Sequence, residues 1–527
     1  IRDSPRIESI NQQGKTITVI VSDASGELIG ANVIVKGTTN GNVTDMNGQV
    51  TLDNVPANAI LEISYIGYQT KEVPVGNQSQ IKVSLAEDSQ ALEEVVVVGY
   101  GTMEKKQVTS AVTSLSGSDL MKGVSGSDIT TSLQGKISGL VMANNGSANA
   151  GTSIQLRGMT SINAGKSPLI VIDGFPGGDI RSLNQDDIKS IDVLKDASAG
   201  AIYGTRAASG VILITTKSGS NTNGKVKLTY STELTKKQDY GKPDMLTADE
   251  YREHQVGIDY GDNVDWWDEL INHDNFSQKH HLALEAGTEN AQIYTSFFYE
   301  NNEGIAIQDS RQDYGGRLNA NFKLFDGWLE IRPNVDYRQA WRNNNYPNFQ
   351  QALRNNPTRS PYDPDSESGY NVWTGETLDY NVIANSMLTT YEGLDKWFKP
   401  EVSMKLNVKY VPGLSYTQTL GYENRQWEYH GFRSRYHLDE VNNKRNGWPQ
   451  LKFSKTENLT SEGYATYVKE FNGGHSLNAV AGYSYFETNG ENFYAENYNF
   501  DVEGIKFWDL GKGSYCLLYT SDAADDL

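Results

Sequence analysis

The chain has 527 residues, a formal net charge of −20 and a pI near 4.9. This length predicts several domains or one very large one, and the acidic balance argues against nucleic-acid binding, because that requires a basic surface against phosphate. Mean hydropathy is −0.55, and no apolar run approaches the roughly 18 residues of a transmembrane helix. A transmembrane β-barrel stays compatible with these values, because only every second residue of its strands faces lipid.

The two ends of the chain differ in character from the rest. Residues 1–13 form a predicted tail, and because the chain starts at Ile1 without a recognisable signal peptide, we interpret this end as mature or clipped. Residues 513–527 (GSYCLLYTSDAADDL) continue no earlier periodicity, and we predict that they are not native. They hold the single cysteine, Cys516, so an internal disulfide is ruled out and a thiolate metal site is disfavoured.

Residues 14–86 contain short alternating strands separated by Ser-Gly, Asn-Gly and proline turns. Val33 and Val35 alternate with Asn32 and Ile34, and Leu61 and Ile63 alternate with Glu62 and Ser64. This pattern predicts a small antiparallel β-sandwich with a core of its own. No catalytic cluster is visible in it.

Residues 87–102 form a polar linker that ends in LEEVVVVGYGT. Four successive valines favour an extended backbone, because branching at Cβ stiffens χ1 and suits a pleated surface. A run without alternation indicates either a strand buried on both faces or a strand whose backbone itself makes the contact.

Residues 103–222 mix short helices, begun by Ser or Asp caps, with strands such as SIQLRG, SPLIVIDGFP and GVILITTKSG. This predicts an α+β globule. The stretch DASAGAIYGTRAASG lacks the G-x-x-x-x-G-K-[ST] pattern, so we exclude a phosphate loop and attribute its glycines to close backbone packing.

Residues 223–512 carry long alternating strands, about ten in number and about 9–11 residues each. In RLNANFKL, an apolar face (Leu318, Ala320, Phe322, Leu324) opposes a polar one, and LEIRPNVDYR repeats the scheme after a Phe-Asp-Gly turn. Charges along one face do not suit a sandwich, whose inner face is dry, but they suit a barrel with lipid outside and a polar interior. Short turns alternate with long polar connections such as residues 341–385, which is typical of outer-membrane barrels.

Three short motifs in this region invite other functions. The spacing of His437 to Glu440 (HLDE) fits two zinc ligands, but a third ligand and a shaped site are required, so we do not predict a metalloenzyme. Residues 363–369 (DPDSESG) partly match a calcium loop, with Ser368 in place of the turn glycine, and a solvated loop is the competing interpretation. Thr247 to Glu250 (TADE) is the pattern of a capping box that opens a helix.

Four stretches together resemble the SusC/RagA family of TonB-linked outer-membrane transporters. They are LEEVVVVGYGTMEKK, SLQGKISGLVM, GTSIQLRGMTSINAGKSPLIVIDGFP and IKSIDVLKDASAGAIYGTRAASGVILITTKSG. The N-terminal unit resembles the carboxypeptidase-regulatory-like sandwich of the same family. The resemblance implies a mainly β fold: this sandwich, an α+β plug domain, and part of a transmembrane antiparallel β-barrel, truncated because a closed barrel of the family has about twenty-two strands.

By this resemblance the valine run is the TonB box, a segment that pairs with a sheet edge of TonB by strand addition. Its residues are Glu93, Glu94, Val95, Val96, Val97, Val98 and Gly99. The plug motif comprises Arg157, Gly158, Asp173 and Gly174. We hypothesise that Arg157 pairs with a carboxylate of the barrel lumen and locks the plug; the alternative is that it only solvates the plug surface.

The resemblance implies TonB-dependent import of oligosaccharides, or of peptides, across a bacterial outer membrane, together with a SusD-like surface lipoprotein. The alternative is a receptor that transduces a signal with the same plug and barrel, although family transducers carry a separate signalling domain. No catalytic residue, metal or cofactor is expected. Aromatic side chains of the long connections are candidates for stacking on sugar rings, with mutual packing as the competing interpretation: Trp341, Tyr346, Phe349, Tyr362, Tyr370 and Trp373.

Overall fold

The computed structural model divides the chain into two units, which are described separately. It describes residues 15–522 except 24–25, 29, 39, 46, 66–67, 69, 77, 86–94, 99–100, 105–111, 121–128, 144–145, 150, 152, 157–166, 196–206, 374–378, 472–474 and 501. Within these residues, none of the helices has both the length and the apolar character needed to cross a bilayer.

The N-terminal unit is a sandwich of two sheets. One sheet has the order β4 (Gln49–Val55), β1 (Lys15–Ser22), β7 (Gln80–Ser84); the other has the order β3 (Gly41–Val43), β2 (Asn32–Val35), β5 (Ile60–Ser64), β6 (Lys71–Pro74). The alternating residues predicted to form the core are buried: Val33, Val35, Leu61 and Ile63. The prediction of a purely antiparallel sandwich is wrong, because β1 and β7 pair in parallel. The chain passes through the other sheet between them, which supplies the crossover that a parallel pair needs.

The valine run forms β8 (Val95–Val98), which hydrogen-bonds to β9 (Gly101–Glu104) in a two-stranded ladder. Among the described residues β8 pairs with β9 alone. Glu93, Glu94 and Gly99 lie outside the described residues.

The plug is built on a mixed five-stranded sheet in the order β10 (Val112–Ser116), β15 (Ile188–Leu194), β16 (Val211–Thr216), β13 (Leu169–Ile172), β14 (Phe175–Pro176). A separate hairpin joins β11 (Leu140–Ala143) to β12 (Ser153–Leu156). The two stretches predicted as short helices contain 3-10 turns, Gly117–Asp119, capped by Ser116 as expected, and Ile129–Leu133. Two further 3-10 turns, Ile180–Ser182 and Gln185–Asp187, were not predicted. Isoleucines, leucines and valines from the sheet and these turns form the core.

The remainder is an antiparallel sheet of ten strands in chain order, an open part of a barrel. Its strands are β17 (Val226–Thr235), β18 (Ser277–Gly287), β19 (Ala291–Glu303), β20 (Asp309–Leu324), β21 (Leu329–Asn344), β22 (Thr389–Asn407), β23 (Leu414–Arg433), β24 (Trp448–Phe471), β25 (His475–Tyr498) and β26 (Tyr515–Asp522).

The predicted strand length is wrong. Most strands are longer than 9–11 residues: β24 and β25 have 24 each. At about 3.3 Å per residue they are much longer than the roughly 30 Å hydrocarbon core requires, so pairing continues beyond it. The predicted number of about ten strands is confirmed: nine lie within residues 223–512, and the tenth, β26, lies in the predicted tail, where Tyr515 pairs with Tyr498.

Short turns and long connections alternate between these strands, as predicted. Residues 325–328 and 408–413 are short turns, whereas residues 345–388 and 434–447 are long connections. The long connections carry helices α1 (Ala248–Glu253), α2 (Phe349–Ala352), α3 (Val382–Met387) and α4 (Leu438–Asn442), and 3-10 turns at Asp268–Leu270, Glu503–Ile505 and Leu510–Lys512. The capping box at the start of α1 is confirmed, since Thr247 and Glu250 cap each other's backbone.

The two faces of the sheet have the chemistry that the alternation predicts. Large apolar side chains on the outer face are exposed: Leu282, Phe297, Leu318, Tyr337, Phe398, Leu420 and Leu459. The inner face carries buried charges and amides: Arg311, Asp313, Arg317, Asn334, Asp336 and Arg338. This inner wall contacts the plug.

Candidate functional site

The plug reaches the inner wall with a tight hairpin formed by its motif Asp173-Gly174. Ile172 pairs with Phe175, and the two residues between them have φ values of +53° and +94°. Two positive φ values define a type I′ turn, for which Asp-Gly is a favoured sequence because aspartate tolerates the left-handed region and glycine has no Cβ. Within the plug, the Asp173 carboxylate accepts hydrogen bonds from the backbone N–H of Thr216 (2.8 Å) and from its hydroxyl (2.7 Å).

The same carboxylate binds the barrel wall. Nη2 of Arg317 donates to Oδ2 of Asp173 at 2.8 Å and to Oδ2 of Asp336 at 3.0 Å, so one guanidinium joins the hairpin tip to the sheet. Lys399 binds the base of the hairpin. Its Nζ donates to the carbonyl oxygen of Ile172 at 3.3 Å and lies 4.6 Å from the ring centroid of Phe175. Arg317 and Lys399 are each 4% exposed, so these charges depend on their partners rather than on water.

A second buried contact lies at Asp187, which ends a 3-10 turn of the plug. Its Oδ1 accepts from Nε2 of His281 and from the hydroxyl of Tyr294, both at 2.8 Å. Burial alone would raise the pKa of Asp187, but the hydrogen bonds from His281 and Tyr294 and the charge of Arg317 outweigh it and hold this pKa below its usual range. The carboxylate is therefore ionised at neutral pH and attached to two strands of the wall.

A third contact joins Arg338 to the plug backbone. Its Nη1 donates to the carbonyl oxygens of Arg181 and of Leu183, the latter at 2.9 Å. Its Nε donates to Asp313 at 2.9 Å, and Arg311 holds that carboxylate from the other side at 2.8 Å. Asp313 and Arg311 of the wall therefore hold the Arg338 guanidinium in the orientation in which it binds the plug backbone.

Further contacts extend the interface along the wall. Asp309 accepts from the hydroxyl of Ser147 (2.8 Å) and the backbone N–H of Ala148 (2.7 Å). Asp179 of the plug, which binds Arg181 on its own turn, lies 3.2 Å from Arg425 of β23. Among the described residues, the seat of the plug on the wall therefore includes several hydrogen-bonded ion pairs and amides.

The predicted plug arginine, Arg157, and Gly158 lie outside the described residues, so the lock hypothesis for Arg157 stays a prediction. The described ion pair has the opposite polarity: the carboxylate, Asp173, belongs to the plug and the arginine, Arg317, to the wall. Sequence analysis missed the wall residues of this interface. Their signal was the alternation itself, since RLNANFKL and LEIRPNVDYR place Arg317, Asp336 and Arg338 on the polar face.

The predicted stacking aromatics fall into different environments. Trp341 lies on the outer face of β21, because its neighbours at even positions, such as Arg338, face the plug. Trp373 is 7% exposed and packs edge-on against Trp266 in a cluster of the long connections, so mutual packing describes it better than ligand stacking. The remaining predicted aromatics also pack on rings: Tyr346 on Phe349, and Tyr362 on Tyr370.

The HLDE motif lies at the start of a helix. His437 is the N-cap of α4, and its Nδ1 accepts from the backbone N–H of Asp439. Burial and the charge of Arg433 lower the pKa of His437 to about 4, so the ring is neutral and can accept this bond. Glu440 pairs with Arg445 at 2.8 Å. In the part of the chain that the structure describes, no group of three His, Cys, Asp or Glu side chains has the geometry of a metal site.

Two family models match the chain. Residues 18–97 match the CarboxypepD_reg-like domain and residues 104–211 match the TonB-dependent Receptor Plug Domain. Among curated proteins, the chain is 31% identical over 516 residues to TonB-dependent receptor P3 of Formosa agariphila, covering 94% of this chain and 50% of that protein. It is 35% identical over 379 residues to TonB-dependent receptor SusC of Bacteroides thetaiotaomicron, covering 67% of this chain and 37% of that one.

Among solved structures, the RagAB peptide importer in its open-open state aligns with a TM-score of 0.69 at 20% identity, covering 81% of this chain and 53% of that one. At this identity the likeness concerns the fold. The chain spans about half the length of the curated relatives that it matches, or less.

Proposed function

Because this chain is a SusC/RagA-like TonB-dependent receptor, we propose that it forms the N-terminal part of an outer-membrane importer whose plug is displaced by TonB. The observation that carries the proposal is the position of β8. In the sequence, this strand of four valines directly precedes a plug that is held on the wall by polar contacts. TonB would add a strand to the segment of Glu93, Glu94, Val95–Val98 and Gly99, so that a pull on the segment reaches the plug.

The chemistry of the seat suits repeated displacement. Moving an apolar interface into water costs about 25 cal/mol per Å² of apolar surface, whereas ions and amides exchange one set of hydrogen bonds for another with water. The contacts of Asp173 and Asp187 fix the plug at rest, yet each can be replaced by hydration once the plug moves. In this proposal, Asp173 and Gly174 form the hairpin tip that holds the plug in place, and Arg317 is the wall residue that binds this tip.

The proposed partners are TonB and a SusD-like surface lipoprotein, and the proposed cargo is an oligosaccharide or a peptide. The sequence similarity to SusC supports this pairing, and the fold is shared with the RagAB peptide importer, for which the cargo is a peptide. Three aromatic residues of the long connections, Tyr346 and Tyr370, which are half-exposed, and Tyr362, which is exposed, are proposed ligand contacts.

Growth on a panel of oligosaccharides and peptides tests the proposal. Cells that express the receptor should lose growth on its cargo when TonB is deleted or when residues 93–99 are removed, and a variant with the seven residues restored should recover. Growth that does not depend on TonB would overturn the importer. If growth persists but induction of neighbouring genes is lost, the receptor is a transducer instead.

A further inference from the structure

The inner wall carries a row of aromatic and cationic side chains beyond the plug contacts. Tyr429 of β23 pairs directly with Lys452 of β24, and Lys452 with Tyr494 of β25, so the three lie side by side on one face. This is the inner face, because Arg425, four residues before Tyr429, contacts Asp179 of the plug. From there β23 runs toward the long connection at residues 434–447, so the row lies on the entry side of the plug.

Aromatic rings flank this row and lie along the wall. Trp427 stacks beside Tyr429, with ring centroids 6.0 Å apart and an interplanar angle of 24°, and Tyr391 lies 5.5 Å from Tyr429 on the other side. A glycine makes this arrangement feasible. A Cβ on Gly431 would stand 2.9 Å from Cε1 of Tyr429, so any larger residue would push the ring off the wall. Trp427, Tyr429 and Tyr391 thus form a continuous aromatic platform, each ring half-exposed.

Lys452 supplies a positive charge to this platform. Its Nζ lies 5.1 Å from the ring centroid of Tyr429 and 5.3 Å from that of Tyr494. Three arginines near the row each have a carboxylate partner: Arg342 with Asp395 (3.2 Å), Arg433 with Asp439 (2.8 Å) and Arg445 with Glu440 (2.8 Å). Among the described side chains, no carboxylate lies within ion-pair distance of Lys452.

Glu496, the inner-facing carboxylate two residues after Tyr494 on β25, does not pair with the charge of Lys452. Glu496 accepts hydrogen bonds from Nε1 of Trp448 (2.9 Å), from the hydroxyl of Tyr498 (2.9 Å) and from that of Tyr494. Its lone pairs are therefore directed to donors of its own strand and of β24. The cation that remains available to a ligand on the platform is Lys452.

We propose that Trp427, Tyr429, Lys452 and Tyr494 form a transit subsite for an acidic oligosaccharide, one whose sugar rings carry carboxylates. This inference rests on the proposed import function and names the class of its cargo. The apolar face of a pyranose ring stacks on flat aromatic side chains, and the carboxylate of a uronic acid accepts a charge-assisted hydrogen bond from Lys452.

Binding to the receptor in detergent, measured by calorimetry, tests the subsite. The probes are an oligogalacturonate and the same oligosaccharide with its carboxyl groups reduced to alcohols. In Lys452→Gln, affinity for the acidic probe should fall about tenfold while affinity for the neutral probe is unchanged, because only the charge-assisted bond is lost. Equal affinities of the parent protein for both probes would overturn the proposal, as would an unchanged affinity of the variant for the acidic probe.

Lys455→Gln is the matched control. Lys455 lies on the same strand three residues away, on the outer face, where it pairs with Glu457 at 3.0 Å. The Lys455→Gln substitution removes the same charge as Lys452→Gln and should leave the affinities for both probes unchanged. A peptide of glutamates that binds tighter than the oligogalacturonate would assign the row to peptides and overturn the sugar class. Because TonB-dependent growth is measured separately, a negative result here leaves the importer itself standing.

Discussion

Arg317 on the barrel wall and Asp173 at the tip of the plug hairpin form a buried ion pair of 2.8 Å. The same guanidinium holds Asp336 of its own sheet at 3.0 Å. One arginine therefore pairs with a carboxylate on each side of the interface, and its loss leaves both without their shared cation.

The first prediction concerns this arginine. Arg317→Gln should destabilise the seated plug by about 3–5 kcal/mol, the usual cost of removing one partner of a buried ion pair. The plug should then be cleaved faster by trypsin in detergent. Arg332→Gln is the control, because Arg332 lies on the same face of β21, where its side chain is exposed and pairs with Glu330 of its own strand. Equal cleavage rates in the two variants would contradict the proposal that Arg317 holds the plug in place.

The second prediction separates the charge of Asp173 from its backbone. Asp173→Asn keeps a residue that tolerates a positive φ and keeps one acceptor oxygen for the backbone N–H of Thr216, so the turn is retained while the ion pair and the bond from the Thr216 hydroxyl are weakened. Asp173→Val loses both and places a β-branched residue at φ +53°. Valine should therefore lower the thermal stability of the plug by about 1–3 kcal/mol more than asparagine does. Equal losses would show that the turn conformation contributes nothing.

The third prediction concerns acid. The pKa of Asp187 is held below its usual value in the folded protein, so its stabilising contribution is complete above that usual value, near 4. It is lost as the pH falls through the lowered folded pKa. Protease resistance of the plug should therefore be constant from neutral pH to about 4 and fall below it.

Asp187→Asn should lower the protease resistance of the plug at neutral pH and remove its decrease below about pH 4, here called the acid limb. Asp186→Asn, at the adjacent carboxylate, which is half-exposed and faces Lys279, should keep the limb of the parent protein. An acid limb that survives unchanged in Asp187→Asn would assign the titration to another group.

The fourth prediction concerns Trp373. Its Nε1 donates to the carbonyl oxygen of Asp379 at 2.9 Å, and the guanidinium of Arg359 lies 3.7 Å from its ring. Trp373→Leu should destabilise the long connections by about 2–4 kcal/mol, which hydrogen exchange would detect, because a large buried side chain is truncated. Tyr362→Leu, at an exposed ring, should have a smaller effect. A ligand-binding defect in Trp373→Leu with unchanged exchange would restore the stacking role.

The alternation of the sequence was enough to predict the barrel hairpins and their faces. Leu318 and Tyr337 are exposed on the outer face, and Arg317 and Arg338 are buried on the inner one, as RLNANFKL and LEIRPNVDYR indicate. Strand length was not predicted, because pairing continues beyond the segment that the bilayer constrains. The strand at Tyr515–Asp522 was missed, since its residues do not alternate and the tail was set aside.

The contacts of the plug could not be predicted from the sequence. Asp173-Gly174 is recognisable as a turn, but its partner Arg317 lies 144 residues away. Alternation predicts which face of the sheet a side chain lies on, but it does not predict which position along the strand contacts the plug. The same limit applies to Lys452, whose two tyrosine neighbours follow from the register of three strands.

The most direct test of the account is the affinity of the receptor for the soluble periplasmic part of TonB, measured with single substitutions in β8. Successive N–H groups of a strand point to opposite edges, so Val96→Pro or Val97→Pro removes a donor from the TonB-facing edge. At least one of the two should weaken binding about tenfold or more. Val96→Thr and Val97→Thr keep the shape and the N–H, and should bind like the parent. Unchanged affinity in both proline variants would contradict strand addition at β8, and with it the proposed coupling of TonB to the plug.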